Sequence, residues 1–152
     1  MNTRKAILKG ESLTYVLVEE EKVIRDKWMH IAHAKGISLM TYPDPDWFLH
    51  DLRHDVFRGR ERFYLDQDFG SVRGVGLQLS RLIKTKWPEA YTSLVTGYPG
   101  FMFRSELREG MVNDVFGKYP WPFDNAQVAT IEERNEREVW APIMSPFGGS
   151  NG

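Results

Sequence analysis

The chain has 152 residues, a formal net charge of −1 and no cysteine. This length favours a single domain, and an apolar fraction of 41% is enough for a full hydrophobic core. The nearly balanced charge gives no electrostatic case for binding nucleic acid or an anionic membrane, and a chain without cysteine has no disulfide, thiolate metal site or cysteine nucleophile.

Strand and helix signals alternate along the chain, as is typical of an α/β protein with a parallel sheet. Strands are predicted at residues 13–18, 37–42, 63–65, 92–96 and 115–118. Helices are predicted at residues 21–35, 47–54 and 75–86, within 97–110, and from Asp124 or Asn125 to about Trp140. The third helix should bury Leu77, Leu79, Leu82 and Ile83.

The strand pattern also sets the expected domain limits. Residues 13–140 should form one folded domain, preceded by an N-terminal extension at residues 1–12 and followed by a flexible tail at residues 141–152. The apolar run 13–18 is cut off by three glutamates, so we expect neither a signal peptide nor membrane insertion. These features suit the cytoplasm.

Polar side chains stand at the carboxyl ends of four predicted strands. Glu19 and Glu20 follow the first strand, Asp66 follows the third, Thr96 ends the fourth and Lys118 ends the fifth. Because the carboxyl ends of parallel strands lie along one edge of a sheet, these acids, the hydroxyl and the amine should converge on one pocket.

This set of residues resembles the receiver domain of two-component response regulators. That family has an acidic pair after the first strand, a phosphoacceptor Asp after the third, Ser or Thr after the fourth and Lys after the fifth. The 30 residues from Asp66 to Thr96 and the 52 from Asp66 to Lys118 are the family's usual intervals, and Gly74 also fits. The resemblance covers Leu13 to about Val139. It implies a flavodoxin-like, doubly wound, five-stranded parallel sheet of order 2-1-3-4-5, with helices on both faces.

The resemblance also implies a function. Asp66 would accept a phosphoryl group from a histidine kinase or phosphotransfer protein, while Thr96 and Lys118 would bind phosphoryl oxygens. The domain would then signal through contacts with a downstream target protein. Enzyme activity would be limited to its own phosphorylation and autodephosphorylation.

The family's phosphorylation site holds Mg²⁺, which prefers carboxylate, carbonyl and water oxygens. By resemblance, Asp66, Glu20 and the backbone carbonyl of Asp68 would be direct ligands, and Glu19 would bind through water.

Three features depart from the family pattern. The acidic pair is usually Asp-Asp or Glu-Asp, and the longer Glu19-Glu20 side chains would displace a metal ligand by about an ångström. Tyr119 separates Lys118 from Pro120, although the family places the proline directly after the lysine. Val115 occupies the place of the aromatic switch residue, with Phe116 expected to face the core.

These departures leave other interpretations open. The main alternative is a degenerate pseudo-receiver that acts as a phosphorylation-independent protein-interaction module. A weaker one is a phosphatase, because Asp66-Gln67-Asp68 is similar to the Asp-x-Asp motif of the haloacid dehalogenases. His50 and His54 have a spacing that can bind a metal, but a solvated polar helix face is the expected role of that pair.

Overall fold

A computed structural model describes residues 14–118 of the chain. The elements in chain order are β1 (Thr14–Val18), α1 (Lys22–Lys35), β2 (Ser38–Tyr42), α2 (Pro45–Arg53), β3 (Arg62–Asp66), α3 (Val75–Lys86), β4 (Tyr91–Val95), a 3₁₀ turn (Gly100–Phe103), α4 (Arg104–Arg108) and β5 (Asp114–Phe116). The predicted extension 1–12, the fifth helix, the Tyr119-Pro120 bond and the tail lie outside the described residues.

The five strands form one parallel sheet of order β2-β1-β3-β4-β5. The predicted topology is therefore confirmed. β1 and β3 are central, and all five residues of each are buried. Parallel strands covered on both faces carry nearly continuous apolar runs, which explains why these two segments show no polar–apolar alternation.

Helices cover both faces of this sheet, as the fold class requires. On one face Val16, Phe63 and Leu65 pack with residues of α2 and α3. On the other face Tyr15, Leu17 and Tyr64 pack with Ile24, Trp28 and Ala32 of α1. The strand period of two therefore divides the apolar side chains between two cores.

Helix ends follow the chemistry of their capping residues. Gly36 ends α1 in the left-handed conformation, at φ 70°. The Asp44 side chain caps α2 by accepting a hydrogen bond from the Trp47 N–H at 2.8 Å, and Pro45 opens the first turn of this helix.

One expectation about the core is wrong. Leu79 and Ile83 of α3 are buried and Leu77 is partly buried, but Leu82 is 46% exposed. Adjacent helical residues differ by about 100° in direction, so the face that buries Ile83 turns Leu82 towards solvent. The limits of the other described strands and helices differ from those predicted by at most two residues, and α3 matches its prediction.

Among residues 14–118, no helix has both the length and the apolar character needed to cross a bilayer.

Gly76 in α3 allows this helix to lie directly against the sheet. A Cβ atom at this position would lie 2.8 Å from the Asp66 carbonyl oxygen and 2.8 Å from Leu94 Cδ2.

We expect Gly76→Ala to lower the free energy of unfolding by about 1–3 kcal/mol, because backbone and core atoms must shift. Urea denaturation measures the change. Gly97→Ala is the matched control, since nothing lies within 4 Å of its added Cβ. Equal losses in both variants would refute the steric explanation.

Candidate functional site

Strand register places the predicted site residues side by side at the carboxyl edge of the sheet. Val18 of β1 is opposite Leu65 of β3, so Glu19 and Asp66 follow in the same row. Asp66 is opposite Val95, and the Thr96 N–H donates to the Phe116 carbonyl at 2.9 Å. Thr96 and Lys118 therefore continue from β4 and β5 beside Asp66.

Lys118 joins the acids at the centre of this edge. Its Nζ atom lies 3.1 Å from Glu19 Oε2 and 3.3 Å from Asp66 Oδ2, with Glu21 Oε2 at 3.9 Å. The Glu19 side chain is fully buried and that of Asp66 is 4% exposed. One ammonium group thus serves two buried carboxyl groups.

The single positive charge of Lys118 does not neutralise both Glu19 and Asp66, and this affects the pKa of Asp66. Burial and then the negative charge of Glu19 raise the pKa of Asp66 to about 7, and Lys118 only partly opposes this. A hydrogen bond between Asp66 and Glu19 acts in the same direction, because it needs a proton between the two carboxyl groups. Asp66 therefore binds or releases its proton near neutral pH.

The two carboxyl groups also change the pKa of Lys118. Burial acts to lower the pKa of Lys118, but Glu19 and then Asp66 outweigh it, and the pKa is raised. Lys118 remains an ammonium ion throughout the physiological range and can neutralise an anion held at this edge.

The other two predicted metal ligands have different contacts. Glu20 Oε2 accepts a hydrogen bond from the Gly70 N–H at 2.9 Å. Asp68 Oδ1 accepts from the Gly74 N–H at 3.0 Å, at the start of α3. Both carboxylates therefore accept hydrogen bonds from backbone N–H groups of the loop between β3 and α3, which stabilises the position of this loop.

The carboxylates predicted to bind Mg²⁺ have other partners in this arrangement. Across residues 14–118 no three acidic or histidine side chains are grouped so that they could hold a metal ion. The Glu20 carboxylate accepts from the Gly70 N–H, and Lys118 supplies the positive charge next to Asp66. Mg²⁺ binding at this edge stays a prediction.

Thr96 is buried beside the same edge. Its Oγ1 atom accepts a hydrogen bond from the Tyr98 N–H at 3.1 Å. A hydroxyl group that accepts through a lone pair keeps its own proton for donation. Thr96 can therefore donate to an oxygen atom bound at this edge.

Sequence reasoning missed two arginines that organise the site. Arg25 Nη1 donates to the carbonyl oxygens of Glu19 at 2.8 Å and Glu20 at 2.7 Å, which ties α1 to the end of β1. Arg73 Nη1 donates to the Tyr98 hydroxyl at 2.7 Å, which joins the loop after β3 to the loop after β4. Arg25 is five residues from Glu20 and six from Glu19, and Arg73 is 25 residues from Tyr98. No local sequence pattern indicates either set of contacts.

Solved receiver domains have this architecture. A signal receiver domain of an HD domain-containing protein from Pseudomonas fluorescens Pf-5 aligns with a TM-score of 0.60 and 17% identity, over 86% of this chain and 98% of its own. A CheY-like receiver domain from Methanospirillum hungatei aligns with a TM-score of 0.58 and 13% identity, over 84% of this chain and 94% of its own. A response regulator receiver domain from Clostridium thermocellum aligns with a TM-score of 0.63 and 13% identity, over 84% of this chain and 98% of its own. The chain has a receiver-domain fold. No known family model matches its sequence, and no curated protein does.

Successive residues of β5 point to opposite faces of the sheet. Phe116 is buried against Tyr64, with ring centroids 6.0 Å apart, as expected from the sequence. Val115 points to the opposite face and packs with Leu94, Phe103 and Val112. At the place of the aromatic switch, this receiver fold carries a small aliphatic side chain inside a core cluster.

The raised pKa of Asp66 predicts how stability depends on pH. Below about pH 4 the folded and unfolded chains both hold this proton, between about pH 4 and 7 only the folded chain does, and stability falls as the pH rises. One pKa unit corresponds to about 1.4 kcal/mol. We therefore expect Asp66→Asn to exceed the wild type by about 2–4 kcal/mol at pH 8 and to match it near pH 4, in urea denaturation.

Asp26→Asn serves as the control for this measurement, because Asp26 is an exposed partner of Lys22 and should show almost no pH-dependent difference. A loss of stability in Asp66→Asn at pH 8 would mean that Lys118 fully compensates the buried charge.

Proposed function

We propose that this chain is a signalling receiver that accepts a phosphoryl group on Asp66 from a histidine kinase or phosphotransfer protein. The observation that carries the proposal is the 3.3 Å contact between Lys118 Nζ and Asp66 Oδ2 at the carboxyl edge of the sheet. Its output would be a contact with a downstream protein in the cytoplasm. It would have no enzyme activity beyond its own phosphorylation and dephosphorylation.

The side chains at this edge can each take one part in the transfer. The ionised Asp66 forms the new bond to phosphorus while the bond to the donor imidazole nitrogen breaks, and that nitrogen keeps the electron pair. Lys118 neutralises one phosphoryl oxygen and the Thr96 hydroxyl donates to another. Because the pKa of Asp66 is about 7, the reactive carboxylate becomes more abundant as the pH rises through neutrality.

Covalent labelling tests this proposal. We expect acetyl phosphate with Mg²⁺ to add one phosphoryl group to the wild type and none to Asp66→Asn, as measured by intact-protein mass spectrometry. The amide preserves the shape but removes the nucleophilic charge. Asp26→Asn, an equivalent change at an exposed position, should be labelled like the wild type. Undiminished labelling of Asp66→Asn would assign the phosphate to another residue.

A second candidate function has its own supporting observation. Lys118 contacts both Glu19 and Asp66, and the Glu20 carboxylate accepts from the Gly70 N–H, so groups of the protein itself already pair these three carboxylates. A domain that keeps this arrangement would be a phosphorylation-independent interaction module.

A Mg²⁺ titration separates the two functions. A receiver that binds Mg²⁺ gains stability by mass action, by about 2.7 kcal/mol at one hundred times the dissociation constant. We expect millimolar Mg²⁺ to raise the melting temperature of the wild type, and Glu20→Gln to reduce that rise because a neutral amide is a weaker ligand. A flat titration, with no effect of beryllofluoride, would favour the interaction module.

A further inference from the structure

His50 in the last turn of α2 and His54, which caps the C-terminus of this helix, form a stacked pair. The two residues are four apart, and their ring centroids are 4.2 Å apart with an interplanar angle of 23°. Both side chains are exposed, that of His50 by 64%, so the pair is open to solvent. The pair uses none of the predicted site residues at the sheet edge.

Each ring has its Nδ1 atom held by an acceptor. His54 Nδ1 lies 2.6 Å from the His50 carbonyl oxygen, and His50 Nδ1 lies 3.3 Å from Asp51 Oδ1. Because a carbonyl or carboxylate oxygen can only accept, Nδ1 must carry the hydrogen in both rings. A neutral imidazole with its hydrogen on Nδ1 has its available lone pair on Nε2. Within the described part of the chain, no hydrogen bond involves either Nε2 atom.

The contact that orients His50 is itself anchored to the sheet. Tyr42, the buried last residue of β2, donates its hydroxyl to Asp51 Oδ2 at 2.7 Å. The Asp51 side chain is therefore an acceptor held in a fixed position.

We propose that His50 and His54 chelate a divalent transition metal ion such as Zn²⁺ or Ni²⁺ through their Nε2 atoms. Metal-binding histidines commonly donate the other ring N–H to a carboxylate or a backbone carbonyl, and this pair has one contact of each kind. Imidazole suits Zn²⁺, Cu²⁺ and Ni²⁺, whereas Mg²⁺ prefers oxygen ligands. Because the stacked rings direct their Nε2 lone pairs nearly parallel, binding requires the two exposed side chains to rotate until both lone pairs meet one ion. Water completes the coordination. The alternative is a solvated pair of rings with no ligand.

Calorimetric titration of the tag-free protein with ZnCl₂, and separately with NiCl₂, tests the proposal. The wild type should bind one equivalent of either metal, and MgCl₂ should not compete. His50→Ala and His54→Ala should each weaken binding by at least about tenfold, because loss of one arm turns a chelate into a single contact. Both side chains are exposed, so folding is preserved, which circular dichroism checks.

The other two of the four histidines provide the matched control. His30 and His33 are exposed on α1, three residues apart. The double variant His30→Ala/His33→Ala should bind Zn²⁺ like the wild type, whereas His50→Ala/His54→Ala should not bind it. Ring signals of His50 and His54 alone should shift in NMR spectra on addition of Zn²⁺. The proposal is overturned by no binding to the wild type, by unchanged binding to His50→Ala/His54→Ala, or by an equal loss in the control. None of these results depends on whether Asp66 accepts phosphate.

Discussion

The ammonium group of Lys118 is the interaction on which the carboxyl edge of the sheet depends. Glu19 and Asp66 are both buried, and an unpaired buried carboxylate is costly because the interior solvates charge poorly. Lys118 contacts both at 3.1 and 3.3 Å, yet one positive charge cannot fully satisfy two negative ones. The remaining imbalance appears as the raised pKa of Asp66. Any ligand of this edge must therefore displace Lys118 or share it.

The sheet makes this arrangement possible by holding β1 and β3 in a fixed register inside two hydrophobic cores. A shift of one residue in a strand would exchange its two faces and move Phe63 and Leu65 into the core now filled by Tyr64. The apolar packing on both faces thus also fixes which polar residues emerge at the edge. Site geometry and core composition are consequences of the same alternation.

Much of this could be predicted from the sequence, because it is encoded locally. The buried runs around Leu17 and Leu65 predict central strands, and the polar residue after each run marks the edge that it reaches. The order of the strands came from the resemblance to receiver domains. The meeting of Asp66 with Lys118, 52 residues apart, was expected because both residues follow strands of one parallel sheet. The direction taken by Glu20 could not be predicted, because it depends on one methylene and on the position of the Gly70 N–H.

The hydrogen bond between Arg73 and Tyr98 gives the two loops beside the site a mechanical link. Neither loop can swing outwards without breaking this bond or pulling the other loop with it. The bond is exposed, so it contributes on the order of 1 kcal/mol, about a fivefold preference for joined over separated loops. A displacement of the loop after β3 would therefore move Tyr98 as well.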